Sequence, residues 1–263
     1  MKRELTALVG IPVILAILIL APPWAFMGLA AAAASIALAE VCRIFQLRQK
    51  SYLVWLALPL AWMWMGGMVL NWPLLPLLLV QTLLPAIAVL LVSGDLEHRY
   101  QSHLMMTVLP LLIGIPASYL MRLRSEFGSS EGIKTILLLL VLVWVGDSAA
   151  YYVGKHFGKR KISPRVSPNK TVAGTLALVL TCLIVTMAWA RMFEPRFFPY
   201  WAGLGGITVG LTAFFGDLSQ SLWKRVFQVK DSGTFFPGHG GFWDRTDSLF
   251  WSAIPLFYLL TLS

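Results

Sequence analysis

Long apolar stretches recur along this 263-residue chain, and they constrain its fold more than any other feature. Hydrophobic residues make up 58% of the sequence and charged residues only 13%, and the mean hydropathy is +0.74. Such a composition excludes an ordinary soluble domain. Because a helix needs about 20 mostly apolar residues to cross a bilayer, we predict an all-α, polytopic transmembrane bundle of about nine spans.

The predicted spans are separated by short polar segments. They lie near residues 5–21, 24–42, 52–70, 74–93, 104–121, 135–153, 173–190, 198–219 and 247–262. Both cysteines, Cys42 and Cys182, fall inside apolar spans, where a disulfide or a metal site is not expected and burial as small hydrophobic side chains is.

The 21 Lys and Arg residues are unevenly distributed between the two sides of the predicted bundle. With the N-terminus in the cytoplasm, 16 of them fall in cytoplasmic segments, chiefly 43–50, 155–170 and 224–245. Cytoplasmic loops of membrane proteins carry an excess of Lys and Arg. We therefore predict an integral membrane protein whose polar site faces the cytoplasm. Basic loops this short do not suggest a nucleic-acid partner.

Residues 217–248 form a strongly polar segment between the last two predicted spans. Carboxylates bind divalent cations, Lys and Arg bind phosphates, and glycines let backbone N–H groups approach phosphate oxygens closely. The combination at a membrane boundary indicates metal-assisted phosphoryl or nucleotidyl transfer on a lipid. The segment holds four of the six Asp residues, Asp217, Asp231, Asp244 and Asp247, with a Pro-Gly-His-Gly-Gly turn at 237–241.

Helical geometry relates the acidic residues of this segment to each other. If the eighth span continues through residue 225, Asp217, Ser221 and Lys224 fall within about 40° of one helix face. The glycines and the proline at 233–241 break the helix, and a new helix is expected from Trp243. This helix–loop–helix element is predicted to bring Asp217 and Asp244 together, an arrangement suited to magnesium with positions open for substrate phosphates.

The spacing from Ser221 to Ser248 is S-x2-K-R-x4-K-D-x-G-x3-P-G-H-G-G-x2-D-R-x-D-S, with fifteen fixed positions in 28. We call residues 221–248 the signature segment, because it closely resembles the signature of CDP-diacylglycerol synthases, or phosphatidate cytidylyltransferases. A second stretch, from Gly146-Asp147-Ser148 through Ser167-Pro168-Asn169-Lys170-Thr171, is similar to the other cytoplasmic region of that family. Val172 and Ala173 depart from the family pattern. The strong resemblance covers roughly the last 120 residues.

The resemblance implies an enzyme that makes CDP-diacylglycerol and pyrophosphate from CTP and phosphatidate. Residues 122–263 would be the catalytic transmembrane region, and residues 1–121 would supply N-terminal helices. Together with the residue chemistry, it implies Mg²⁺ as cofactor, with a second cation compatible with displacement at phosphorus. The implied metal ligands are Asp217 and Asp244, with Asp231 and Asp147 as further candidates. The implied catalytic residues are Lys224, Arg225, Asp217 and Asp244. The implied substrate-binding residues are Lys170, Ser221, Lys230, Gly238, His239, Gly240, Gly241 and Arg245.

Several residues also have structural interpretations. Asp247 is in the position of a helix cap, Asp231 could form a surface ion pair with Lys230, and Glu40 is expected to pair with Arg43 at i+3. The glycine face of the eighth span at Gly203, Gly206 and Gly210 could pack within one chain or form a homodimer. Two other functions fit less of the sequence: a CTP-dependent transferase for another lipid, such as a polyprenol or an ether lipid, and an ion-coupled transporter.

Overall fold

The computed structural model describes residues 2–49, 53–91, 95–193, 199–233 and 240–261. These residues form helices throughout, with one short hairpin. The helices are α1 (Lys2–Leu20), α2 (Pro23–Gln49), α3 (Ala57–Val69), α4 (Leu74–Leu91), α5 (Leu96–Leu109), α6 (Ile115–Ser125), α7 (Gly128–Phe157), α8 (Val172–Phe193), α9 (Tyr200–Val226) and α10 (Trp243–Thr261). A 3₁₀ turn (Leu53–Leu56) precedes α3, and a π-helical turn (Pro110–Gly114) joins α5 to α6.

The helical, polytopic class predicted from the sequence is confirmed. Within the described residues, each predicted span overlaps a helix or a continuous run of helices, although only six of these helices are both long and apolar enough to cross a membrane. These are Pro23–Gln46, Leu74–Leu91, Leu96–Ser125, Gly128–Phe157, Val172–Phe193 and Tyr200–Val226, while Gly10–Leu20 and Leu53–Val69 are shorter apolar helices. α10 has only 19 residues, and three of its first five are charged: Asp244, Arg245 and Asp247.

A two-stranded antiparallel hairpin between α7 and α8 was not predicted. It consists of β1 (Lys161–Ser163) and β2 (Ser167–Thr171), with Lys161 opposite Thr171 and Ser163 opposite Ser167. β2 leads directly into α8, and the Thr171 hydroxyl caps this helix by accepting a hydrogen bond from the Gly174 amide at 3.1 Å. Because Ser or Thr at this position satisfies an otherwise unpaired amide, the hairpin has a fixed attachment to α8.

The chain divides into two compact units, each described here by itself. Unit 1 contains residues 1–125 and 229–246, and unit 2 contains residues 126–228 and 247–263. The predicted division at residue 121 did not anticipate that residues 229–246 group with the N-terminal helices. The domain roles assigned to 1–121 and 122–263 stay predictions.

In unit 2, α7, α8 and α9 pack side by side through glycines. A Cβ atom added at Gly206 would lie 2.5 Å from the Leu183 Cα, and one added at Gly210 would lie 2.9 Å from the Val179 Cα. Small residues allow such close helix approach. The face with Gly206 and Gly210 therefore packs against α8 of the same chain, which is one of the two alternatives left open by the sequence.

In unit 1, α2 packs against α3 and α6 along a row of small and branched apolar residues. The buried members of this row include Ala30, Ala34, Ala37, Leu38 and Val41. Glu40 lies within this last buried stretch and is half-buried. The packing of α2 therefore fixes the position of a carboxylate near its C-terminal end.

Candidate active site

An ion pair lies at the centre of the polar site in unit 2. The Lys170 Nζ at the end of β2 is 2.8 Å from the Asp217 Oδ2 on α9. The side chain of Lys170 is 17% exposed and that of Asp217 is 39% exposed, so the pair is partly shielded from water. The same ammonium lies 5.0 Å from the centre of the Phe214 ring, a cation–π contact that orients it further.

The predicted stripe on α9 is present in the structure. α9 continues to Val226, and the Ser221 hydroxyl donates a 3.4 Å hydrogen bond to the Asp217 Oδ1 one turn earlier. Lys224 is half-buried, and its charge interacts with that of Asp247 at the start of α10. The roles assigned to Ser221 and Lys224 in binding and catalysis stay predictions.

A cavity of about 300 Å³ opens beside the ion pair within unit 2. Asp147, Lys170 and Asp217 contribute the charged groups of its wall, and Asn169 and Thr175 contribute polar ones. Asp147 comes from α7, so three separate elements supply the charged groups. The volume is at the lower end for ligand pockets, which fits phosphate groups and a cation rather than a whole nucleotide together with a lipid.

Asp247 extends the acidic part of this site. Its charge interacts with those of Asp217 and Asp147, and its Oδ1 accepts a 2.7 Å hydrogen bond from the Ser248 amide. The sequence pattern indicated a helix cap for Asp247, but α10 begins four residues earlier, at Trp243. The i, i+3 spacing from Asp244 was the available signal that Asp247 belongs with the acidic residues.

Arg225 links the end of α9 to the hairpin. Its Nε donates a 3.1 Å hydrogen bond to the backbone carbonyl of Val166, which lies between β1 and β2. This contact places residues 161–171 and the end of α9 on the same side of unit 2, in agreement with the charge distribution. Arg225 was predicted to be catalytic, and the structure gives it a role in holding the hairpin.

A second polar cluster lies in unit 1, at the described residues 229–233 and 240–242 of the segment between α9 and α10. This segment (residues 227–242) is called the signature loop. One oxygen of Asp244, Oδ2, accepts hydrogen bonds from the Ser232 amide at 2.8 Å, the Ser232 hydroxyl at 3.1 Å and the Gly241 amide at 2.9 Å. Asp244 therefore holds Ser232 and Gly241 close to each other. Its role as a magnesium ligand and its approach to Asp217 in unit 2 stay predictions.

Glu40 is the second carboxylate of this cluster. It accepts hydrogen bonds from the Phe242 amide at 2.8 Å, the Trp243 amide at 3.0 Å and the Ser232 hydroxyl at 2.7 Å. The predicted pair with Arg43 is not among the ion pairs of the described residues, so that interpretation was wrong. No local pattern links residue 40 to residues 192 or more positions later, and the sequence could not reveal this contact.

The remaining predicted binding residues lie around the loop. Gly240 has a φ of +86°, a conformation that favours glycine, and a Cβ there would be 2.7 Å from the Asp244 Oδ2. A Cβ at Gly241 would overlap the Ser232 Oγ and the Glu40 Oε2. Lys230, Asp231 and Arg245 are exposed, and Gly238 and His239 lie outside the described residues.

The carboxylates of the cavity in unit 2 could hold magnesium if substrate phosphates and water supply the remaining ligands. Asp147 and Asp217 face the same cavity with Lys170 as their paired cation, an excess of negative charge that a divalent cation would offset. Within the described ranges, no three Asp, Glu, His or Cys side chains form a metal site by themselves. Magnesium is usually held by one or two carboxylates with waters and substrate phosphates, not by a complete protein cage.

Fold and site together define a helical membrane protein with paired acidic and basic side chains along a polar cavity. The chain belongs to the Cytidylyltransferase family, which it matches over residues 1–263. Membership makes it a nucleotidyltransferase by family, in agreement with the resemblance found in the signature segment.

Curated relatives match to different extents. The uncharacterized protein YnbB of Escherichia coli K12 is 32% identical over 254 residues, which cover 95% of this chain and 84% of the relative. The phosphatidate cytidylyltransferase of Bacillus subtilis is 38% identical over 161 residues, or 59% of this chain and 57% of the relative. That of Staphylococcus aureus is 43% identical over 133 residues, half of each chain. The chain thus spans about half the length of the phosphatidate cytidylyltransferases it matches.

Proposed function

We propose that this protein is a phosphatidate cytidylyltransferase of the bacterial inner membrane, which converts CTP and phosphatidate to CDP-diacylglycerol and pyrophosphate. The observation that carries the proposal is the Lys170–Asp217 pair on the wall of a cavity shared with Asp147. Asp147 and Lys170 belong to the second stretch that resembles the family, and Asp217 lies one helical turn before the signature segment. Relatives named phosphatidate cytidylyltransferase support the choice of substrate.

The residues suit a reaction between two polyanions. The phosphate oxygen of phosphatidate is already anionic, so its attack on the α-phosphorus of CTP needs little help from a general base. The protein must instead reduce the repulsion between the substrates and align them. Lys170 and Lys224, with Arg225, Lys230 and Arg245, would supply positive charge to the phosphates.

Asp147 and Asp217 would hold the magnesium ion, with Asp247 and Asp244 as further carboxylates. Magnesium, when bound, supplies positive charge to phosphate oxygens at the displacement. Lys170, paired with Asp217, would keep this carboxylate oriented before substrate arrives and then contact a phosphate. A second cation is compatible with the number of carboxylates. His239, Gly240 and Gly241 would contact phosphate from the signature loop.

A second cavity in unit 2 supports an acceptor with an apolar part. It measures about 530 Å³ and is lined mostly by apolar side chains, among them Phe215, Leu222 and Trp251. Phe215 and Gly216, which line it, directly precede Asp217 on α9. A lipid with an anionic head group and acyl chains therefore suits adjacent parts of the same helix.

A transferase for another lipid acceptor is the second candidate. It stays open because the relative that matches nearly the whole chain, YnbB, is uncharacterized, whereas the named phosphatidate enzymes match about half of it. The polar site would change little between acceptors, because CTP brings the same triphosphate to it in each reaction. The acceptor is therefore a question for assay.

The test uses purified full-length protein, labelled CTP, magnesium and a panel of acceptors: phosphatidate, its ether analogue and a polyprenol. We expect a labelled lipid product and equimolar pyrophosphate with phosphatidate, and at most weak transfer to the others. A matched reaction with Asp217→Asn protein controls for contaminating enzyme. Preferential transfer to a polyprenyl or ether lipid would replace phosphatidate by that acceptor, and no transfer to any acceptor would refute the proposal.

A further inference from the structure

Glu40 makes three hydrogen bonds to a segment that begins 192 residues further along the chain, all within unit 1. We propose that Glu40 is a positioning residue, which holds the signature loop and the first turn of α10 in the conformation used for nucleotidyl transfer. The inference deepens the proposed function and rests on it, because it assigns no new reaction. Glu40 lies in the N-terminal half, where the sequence showed only apolar helices.

The start of α10 presents backbone amides that need hydrogen-bond acceptors. The first amides of a helix have no partner within the helix, and negative charge is favourable at this end. Trp243 begins α10, and Phe242 directly precedes it. Glu40 accepts hydrogen bonds from both amides, so a carboxylate on α2 caps the start of α10.

The signature segment approaches this carboxylate closely. A Cβ at Gly233 would lie 2.7 Å from the Glu40 Oε1, and a Cβ at Gly241 would overlap the Glu40 Oε2. Two glycines of the signature segment therefore allow Glu40 to approach the backbone. This gives them a function apart from phosphate contact.

Ser232 connects Glu40 to Asp244. The Ser232 hydroxyl lies 2.7 Å from the Glu40 Oε2 and 3.1 Å from the Asp244 Oδ2, and only 4% of Ser232 is exposed. A hydroxyl has a single proton, so the two carboxylates compete for one donor. A change at Glu40 is therefore transmitted through Ser232 to Asp244, a predicted catalytic residue.

The key variant is Glu40→Gln, which keeps the size of the side chain but removes its charge. The amide group of Gln keeps one acceptor oxygen and replaces the other by an N–H donor. Because the backbone also donates at this site, the hydrogen bond from either Phe242 or Trp243 is lost. Hydrogen exchange of the peptide containing residues 240–243 should become about ten- to a hundredfold faster, the range expected for loss of hydrogen bonds to a charged group. Exchange in α8 should stay unchanged.

Kinetics test whether the loop conformation matters for transfer. In Glu40→Gln we expect kcat to fall at least tenfold, KM for CTP to change less, and Glu40→Asp to recover part of kcat. Glu131→Gln is the matched control, because Glu131 is an exposed carboxylate paired with Lys134, and it should behave as the parent protein. If Glu40→Gln does not fold, Ser232→Ala, which removes one of the three donors, should give a smaller effect in the same direction.

Each outcome is decisive. Unchanged exchange in the 240–243 peptide overturns the inference, as does faster exchange with unchanged kcat. A uniform loss of protection across the protein would indicate a general stabilising role and would also overturn it. Absence of transfer by the parent protein with every acceptor refutes the proposed function instead, and hydrogen exchange then still decides whether Glu40 holds the loop.

Discussion

Lys170 and Asp217 illustrate how single residues of this site depend on each other. A partly shielded ion pair is sensitive to loss of one partner, because the other charge is then left uncompensated. The Lys170 ammonium touches Asp217 and the Phe214 ring together. A phosphate entering the cavity would therefore meet a cation whose position is already fixed.

Substitution of the proposed metal ligands tests this site directly. Asp217→Asn removes a negative charge from the cavity and should lower turnover at least about a hundredfold, since even supporting changes at metal sites cost 10–100-fold. Asp244→Asn should do the same. The measurement is initial rate as a function of magnesium concentration, with Asp95→Asn as control, because Asp95 is an exposed residue beside His98. Near-normal rates at ordinary magnesium would contradict the assignment for that residue.

The placement of the side chains that could act as nucleophiles favours direct attack of the lipid phosphate on CTP, without a covalent enzyme intermediate. Cys42 and Cys182 are buried in helices and are not placed to attack a nucleotide. A covalent intermediate helps when the acceptor is a poor nucleophile, whereas a phosphate monoester is adequate once nearby cations neutralise its surroundings. His239 is the histidine of the signature segment and is expected to bind phosphate.

Isotope exchange checks this prediction. Labelled pyrophosphate should not exchange into CTP unless lipid acceptor is present, and initial-rate plots for the two substrates should intersect. The reaction would then need both substrates bound before the bond to the α-phosphorus breaks. Lipid-independent exchange that disappears in His239→Ala would show that a cytidylyl-histidine forms and that direct displacement is wrong.

At the scale of elements, periodicity and apolar length were sufficient to predict where the helices lie. The continuation of α9 to Val226 and the restart at Trp243 follow from glycine and proline placement. The hairpin at 161–171 was missed, because its strands have three and five residues and contain charged and proline residues rather than a clear alternation. Short strands of this kind are specified by contacts, here with Arg225 and α8.

The candidate site was predictable only in part, for a related reason. Asp217, Ser221 and Lys224 share one helix, so their common face follows from helical geometry. The pairing of Lys170 with Asp217 and that of Glu40 with Trp243 join residues far apart in the chain. Such contacts depend on tertiary packing, and residue spacing alone does not encode them.

At the scale of the whole molecule, the orientation of the polar regions in the membrane remains a prediction. Two contacts agree with it: Glu40 joins the end of α2 to the signature loop in unit 1, and Arg225 joins the end of α9 to the hairpin in unit 2. The asymmetry of Lys and Arg predicts that both polar regions face the cytoplasm. Each can be tested separately.

Single cysteines provide the test, on a background with Cys42→Ala and Cys182→Ala. Arg165→Cys reports the hairpin, and Lys230→Cys reports the signature loop, because both positions are exposed. Each should resist an impermeant thiol reagent in intact cells and react in inverted vesicles. Glu131→Cys, on the opposite predicted side, is the control and should show the reverse. Labelling of Arg165→Cys or Lys230→Cys from outside the cell would refute the orientation.

The contact of Glu40 with residues 232–243 also affects how this enzyme could be divided or recombined. The signature segment carries most of the recognisable motif, but one of its anchors comes from a helix almost two hundred residues earlier. A chimera that exchanges the C-terminal half alone would separate the loop from its anchor unless the donor and recipient agree at position 40. A segment that is exchanged between related enzymes must therefore include α2 as well as the signature segment.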